Sequence, residues 1–278
     1  EIYQHCKKLE KEDRKHDFFS CPMVPYSFLC VYGGIAMGNL GFFKNAKELF
    51  EKGRINAHET NDLIMMGAIE VANGNILLVK GDWNSSIKHL ESGLKLMQKS
   101  NFTWMEGFCL CSLGYVHSML GQIETGKNYA KMGLDIHLKA GVEMHIAHSH
   151  FYNGYTHFKS NDFDTAFDLV EKALQTSKKN NETEVEGRIL IGLGEIMAHS
   201  GKHNSDDAIK QVLIGIDILN KLGMKPQIAQ GYLVLGDIFH RGKDHKNAIE
   251  NLARAEKMFK EMEMNFWLNQ TQKLRSMF

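Results

Sequence analysis

The chain has 278 residues with 33 basic and 33 acidic side chains, so its formal net charge is zero. That balance provides no field that would draw nucleic acid or acidic membrane, and no apolar run approaches the ~18 residues that a bilayer-spanning helix needs. The cysteines, Cys6, Cys21, Cys30, Cys109 and Cys111, are odd in number in a long chain, which argues against a disulfide framework and for buried thiols in a reducing, cytoplasmic setting.

Residues 1–19 read as one helix with Ile2, Cys6 and Leu9 on one side. Cys6 precedes Ala46 by the same interval that separates Ala46 from Ser86. This stretch is therefore expected to be the second helix of an incomplete repeat, in a fragment of a larger protein that starts at Glu1 without methionine. Pro22 and Pro25 should break it and start the next helix. Six two-helix units follow, at 26–60, 61–101, 102–141, 142–181, 182–223 and 224–263. Their first (A) helices are expected near 27–40, 62–80, 103–120, 143–160, 183–200 and 226–241. Their second (B) helices are expected near 43–57, 84–100, 124–140, 164–179, 206–222 and 246–262. Between units, Gly141 and Gly223 suit left-handed C-caps, Asn181 and Thr183 are expected to cap an incoming helix, and Pro226 suits a first turn. Trp267, Leu268, Thr271 and Leu274 mark a last amphipathic helix over 264–278, which would cover the otherwise bare final face.

What makes these six stretches one design is the phase of their small residues. One position reads Gly34, Gly74, Gly114, Gly154, Gly194 and Gly236; a second reads Ala46, Ser86, Gly126, Ala166, Ala208 and Ala248. A third reads Gly53, Gly93, Gly133, Ala173, Gly215 and Ala255. The period is about 40 residues, in the range of helical-repeat arrays. It lengthens once, by an insertion between Gly201 and Ala208. Within a unit the apolar spacing is helical: Ile87, Leu90, Leu94 and Met97 lie on one face, and alternation of the strand type is missing. A helical glycine costs about 1 kcal/mol against alanine. Repeating that cost in every unit points to close backbone approach between paired helices.

Gly154, Ala166 and Ala173, with the turns Asn161-Asp162-Phe163 and Gly81-Asp82-Trp83, resemble the tetratricopeptide repeat across almost the whole chain. The period exceeds that family's ~34 residues and the family's late proline is missing, which points to its longer-helix bacterial branch. The tail resembles the repeat region attached to bacterial class III adenylate or guanylate cyclases and related predicted ATPases, although Glu263 stands where their Met-Gly-Met run has glycine. The resemblance implies an all-α, right-handed superhelical solenoid of about six repeats with a half repeat at each end, forming one elongated domain whose units touch only their neighbours.

No phosphate loop, nucleophile elbow or His-Glu-x-x-His motif is present, so no enzyme activity and no cofactor is expected. Of the 14 histidines, His145 and His148 lie one turn apart, but no Cys or carboxylate completes a metal set; His148 is expected to face the groove, with His150 and His157 between helices. Binding is the better reading. In the family the A helices line a concave groove, and its counterparts here are Phe28, Asn75, Phe108, Tyr115, His148, Phe151, Tyr155, Arg188, Glu195, Gln230 and Asp237. The lining runs from aromatic to charged along the stack, and exposed aromatics in a concave track suit a peptide, a helix or a sister domain. The family's carboxylate clamp for chaperone tails is missing, because Val71, Ser112 and His148 occupy its other positions. A non-catalytic interaction module of a signalling protein is therefore expected. The rivals are a small-molecule sensor, with a closed polar pocket around His148, Tyr155, Arg188 and Glu195, or a peptide-pheromone receptor of a transcriptional regulator. Pairing of chains is left open.

Overall fold

The computed structural model describes residues 2–17, 24–141 and 143–278. Cys21 and Pro22, and with them the expected break after the first helix, lie outside the described residues. Every described regular element is helical. The first is α1, Ile2–Lys11. Six pairs follow: α2 Pro25–Asn39 with α3 Phe43–Glu59, α4 Leu63–Lys80 with α5 Trp83–Lys99, and α6 Thr103–Met119 with α7 Ile123–Ala140. The remaining pairs are α8 Ile146–Lys159 with α9 Phe163–Lys179, α10 Thr183–Ser200 with α11 Ser205–Lys221, and α12 Lys225–Arg241 with α13 His245–Glu261. The last helix is α14, Asn265–Arg275. The architecture is a helical-repeat solenoid of the tetratricopeptide type.

The small residues do what their phase implied. A Cβ built on Gly114 of α6 would lie 2.6 Å from the Ala130 backbone nitrogen of α7. The equivalent glycines admit Phe50 at Gly34, Leu90 at Gly74, Val170 at Gly154, Val212 at Gly194 and Leu252 at Gly236. Leu90, Ala130, Val170, Val212 and Leu252 are all fully buried. One bulky or small apolar side chain per B helix thus keys into one glycine notch per A helix, and that contact recurs down the stack. The turns inside units also follow their sequences. Gly81 and Asn161 take left-handed backbone, and the following Asp82 and Asp162 accept from the Ser85 and Thr165 amides to cap the next helix. Gly141 is a left-handed C-cap, Gly223 is the left-handed residue just after the C-cap Leu222, and Pro226 lies in the first turn of α12.

Four expectations are corrected. The first helix ends at Lys11, not near 19: Asp13 turns left-handed at φ 53° and Arg14 then bonds to Asp17. Asn181 does not cap α10. It is the left-handed residue that ends α9, and the N-cap is Glu182 without a side-chain cap bond. α4 has the length and apolarity of a membrane span; here it is a core helix, with most of its residues buried by α2, α3, α5 and α6.

The fourth concerns the stack itself. Its units do not touch only their neighbours, because the array curves until its last helices meet its first. Gln227 Nε2 donates to Asn39 Oδ1 at 3.2 Å. Gln230 Nε2 and Trp267 Nε1 both donate to the Val79 carbonyl, at 3.3 and 3.1 Å. Trp83 packs edge-on against Phe266 and Trp267, at ring separations of 5.0 and 5.8 Å. Lys44 reaches Glu263 at 3.6 Å, and a Cβ on Gly41 would lie 2.6 Å from Met262 Sδ. A small rotation at each repeat accumulates over six units and closes the turn.

Candidate functional site

Closing the turn gives the A helices a common interior. The wall consists of α6, α8, α10 and α12, and α14 lies across it; together they line a half-open cavity of about 690 Å³. Repeat-equivalent side chains meet in rows along this wall. In one row, the Tyr115 and Tyr155 rings lie 5.2 Å apart, and the Tyr155 hydroxyl donates to Glu195 Oε2. Burial and the Glu195 carboxylate push the Tyr155 phenol above its ordinary range, so it stays a donor. Two helical turns earlier, ~10 Å along the axis, a second row begins with Phe108, which stacks on His145 at 4.4 Å and meets His148 edge-on. Arg188 Nη1 then donates to His148 Nε2 at 3.2 Å and to Glu184 at 3.3 Å, while Nη2 donates to the Tyr152 hydroxyl at 3.0 Å. Burial first, and then the Arg188 charge, hold the His148 pKa well below its usual range, so the ring accepts as a neutral imidazole.

Seven of the eleven sequence-selected residues line this cavity: Tyr115, Phe151, Tyr155, Arg188, Glu195, Gln230 and Asp237. The other four do not. Phe28 lies on α2, exposed and packed at a tilt against Tyr32. Asn75 is engaged inside the wall, donating to the Val71 carbonyl and accepting from Ser112. Phe108 and His148 sit behind the Arg188 head group in the row just described. The aromatic track is also not exposed. Tyr115, Phe151, Tyr155 and Phe158 are all buried: Tyr115 packs across onto Tyr152 and Tyr155 of the next A helix, and Phe151, Tyr155 and Phe158 pack on one another along α8. The cavity sees their edges rather than a free aromatic surface.

Sequence reasoning missed the contribution of α14. Phe266, Trp267, Gln270 and Lys273 form the wall opposite α10, and Gln227 enters from the first turn of α12. The spacing of 266, 270 and 273 shows one helical face, but the sequence marks that face only as a cover. The charges are mixed: Lys159, Arg188 and Lys273 oppose Glu195 and Asp237. Asp237 already accepts from Arg241 Nε at 2.8 Å, and Lys159 lies over the Tyr155 and Phe158 rings. Gln227 is 2% exposed; its Nε2 is bonded but its Oε1 is buried with no partner among the described residues.

Histidine chemistry is turned inward. The His145 and His148 rings meet edge-on at 5.8 Å, and no group of three metal-ligating side chains gathers among the described residues. Cys109 and Cys111 are buried and point at the Leu90 and Ala130 carbonyls, on different neighbouring helices. The cavity therefore offers donors, acceptors and ring edges, and its two carboxylates, Glu195 and Asp237, already hold partners in Tyr155 and Arg241.

No protein-family model matches the chain, and no curated protein matches it significantly. Solved structures do. A Rap protein complexed with competence and sporulation factor superposes with a TM-score of 0.67 at 12% identity, covering 99% of this chain and 80% of that one. NprR in complex with its cognate peptide NprX gives 0.66 at 11% identity, covering 100% and 81%. A signal transduction ATPase with a tetratricopeptide repeat sensor from Pyrococcus horikoshii gives 0.55 at 16% identity, covering 99% of this chain and 42% of that one. At such identities the likeness is one of fold.

Proposed function

We propose that the chain is a non-catalytic regulatory module that holds a short peptide in its central cavity, the peptide coming from a partner protein or from another part of the same polypeptide. One observation carries the reading: a cavity of about 690 Å³ lies between the later A helices and α14, lined by aromatic rings, carboxamides and both signs of charge. Pockets of ~300–1,000 Å³ suit ligands of this size. Backbone amides match Gln230 and Gln270, and side chains of either charge find a counterpart. Of the proteins that share this fold, NprR is in complex with its cognate peptide and the Rap protein with competence and sporulation factor. The likeness to the repeat sensor of a signal transduction ATPase, together with the cyclase-like tail, supports a place within a larger signalling protein.

The direct test fills the cavity. Val234 is half-buried and lines it. Val234→Trp should weaken capture of the best binder from a random hexapeptide pool at least tenfold, with the helical circular dichroism spectrum unchanged. Full binding by V234W would remove the cavity from the reading. The same cavity size also suits a small-molecule inducer. Thermal-shift screening with sugars and nucleotides separates the two readings, because stabilisation by those alone favours the inducer.

A further inference from the structure

The side chains that line the cavity on its α12–α14 side also fasten the turn shut. Gln227, Gln230 and Trp267 all face the cavity, and they make the inner hydrogen bonds to Asn39 and Val79 on the first two repeats. The Gln227 carboxamide is the clearest link. Its nitrogen crosses to Asn39, while its oxygen is buried and unpartnered beside the cavity. A buried acceptor left unmade is a standing penalty, which a ligand N–H placed there would relieve. Trp267 is a second link. Its indole nitrogen is spent on Val79, its ring packs on Trp83, and its remaining surface faces the cavity. Outside these, the seam has apolar contacts, Trp83 on Phe266 and Met262 against Gly41, and one ion pair. Lys44 and Glu263 are both largely exposed, at 84% and 62%, and such a pair contributes little.

Resting on the peptide reading, we propose that this seam is a latch set by the cavity's occupant: a peptide whose backbone N–H reaches Gln227 Oε1 and whose side chain lies on Trp267 holds the turn closed, and the empty cavity lets it open. The coupling is reciprocal. Whatever the ligand adds to closure, closure adds to ligand affinity, so a change made outside the cavity but on the seam must weaken binding. Asn39 and Lys44 meet that condition, since both lie on the seam and neither lines the cavity.

The test uses the full chain and the tightest hexapeptide selected from a random pool. Amide hydrogen exchange is followed in segments 39–44, 79–83 and 262–268, with and without the peptide, and affinity is measured for wild type and for Asn39→Ala/Lys44→Glu. The latch predicts at least tenfold slower exchange in all three segments on binding, and at least tenfold weaker binding by the double variant. Exchange at 185–195 on the opposite wall reports whether that variant is still folded. A peptide that binds both proteins equally and leaves the three segments unchanged overturns the latch while the peptide reading stands. A pool that yields no binder overturns both.

Discussion

The glycine notches make a graded prediction. At Gly114 an added methyl would meet backbone, the Ala130 nitrogen at 2.6 Å and the Gly126 carbonyl at 2.7 Å, so α6 and α7 must separate to admit it. At Gly154 the nearest atom is Val170 Cγ2 at 2.7 Å, the end of a side chain, with the Ala166 carbonyl next at 3.1 Å. At Gly242 nothing lies nearer than 3.5 Å and the backbone is right-handed at φ −74°. Overpacking costs ~1–3 kcal/mol and more when backbone must move, while alanine recovers ~1 kcal/mol of helix propensity or chain entropy. Gly114→Ala is therefore expected to lose about 2 kcal/mol or more, Gly154→Ala about 1 kcal/mol, and Gly242→Ala to gain about 0.5 kcal/mol. Urea denaturation followed by helical circular dichroism gives the ranking. A Gly114→Ala protein as stable as wild type, or a reversed order, would refute the idea that helix pairs meet through these notches.

Two further outcomes follow from backbone and charge. Burial holds the pKa of His145 and His150 down at about 4 and that of His148 well below its usual range, so all three are neutral when folded and take up protons when unfolded. The unfolded chain then binds more protons below the ordinary histidine value of ~6.5, so stability is full above it and falls as pH drops toward 4, by roughly 2 kcal/mol per such residue at pH 5. Equal denaturation midpoints at pH 7.5 and 5.0 would contradict that burial. Glu263 adopts φ +56°, where the cyclase-like tails carry glycine. Glu263→Gly should raise stability by about 0.5–1 kcal/mol, since the left-handed strain exceeds the exposed Lys44 pair, and a calorimetric melting temperature below wild type would speak against it.

The repeat was legible because its signal is local. Gly114 and Ala130 belong to a single helix pair, and the Asp82 and Asp162 caps lie next to their turns. The rows Tyr115–Tyr155 and His148–Arg188 were also accessible, since neighbouring repeats place equivalent positions together. Burial of the aromatics was not, because it depends on how closely adjacent A helices press. The seam was further out of reach. Val79 and Trp267 are 188 residues apart, and their meeting depends on a rotation per repeat that no single unit encodes. For the same reason α14 reads in the sequence as an end cover and forms an inner wall in the fold, whereas Phe28 and Asn75 hold groove positions but lie outside the cavity.

The join between Asn39, Val79 and the last two units also alters how damage would spread. In an open row of repeats, trimming the end costs little more than the trimmed piece, because distant units never feel it. Here, deleting α14 would uncover Trp83 in the second unit and leave the Val79 carbonyl without its indole donor. The terminus and the beginning thus share one fate: the chain behaves like a hoop, whose strength depends on its clasp as much as on its links.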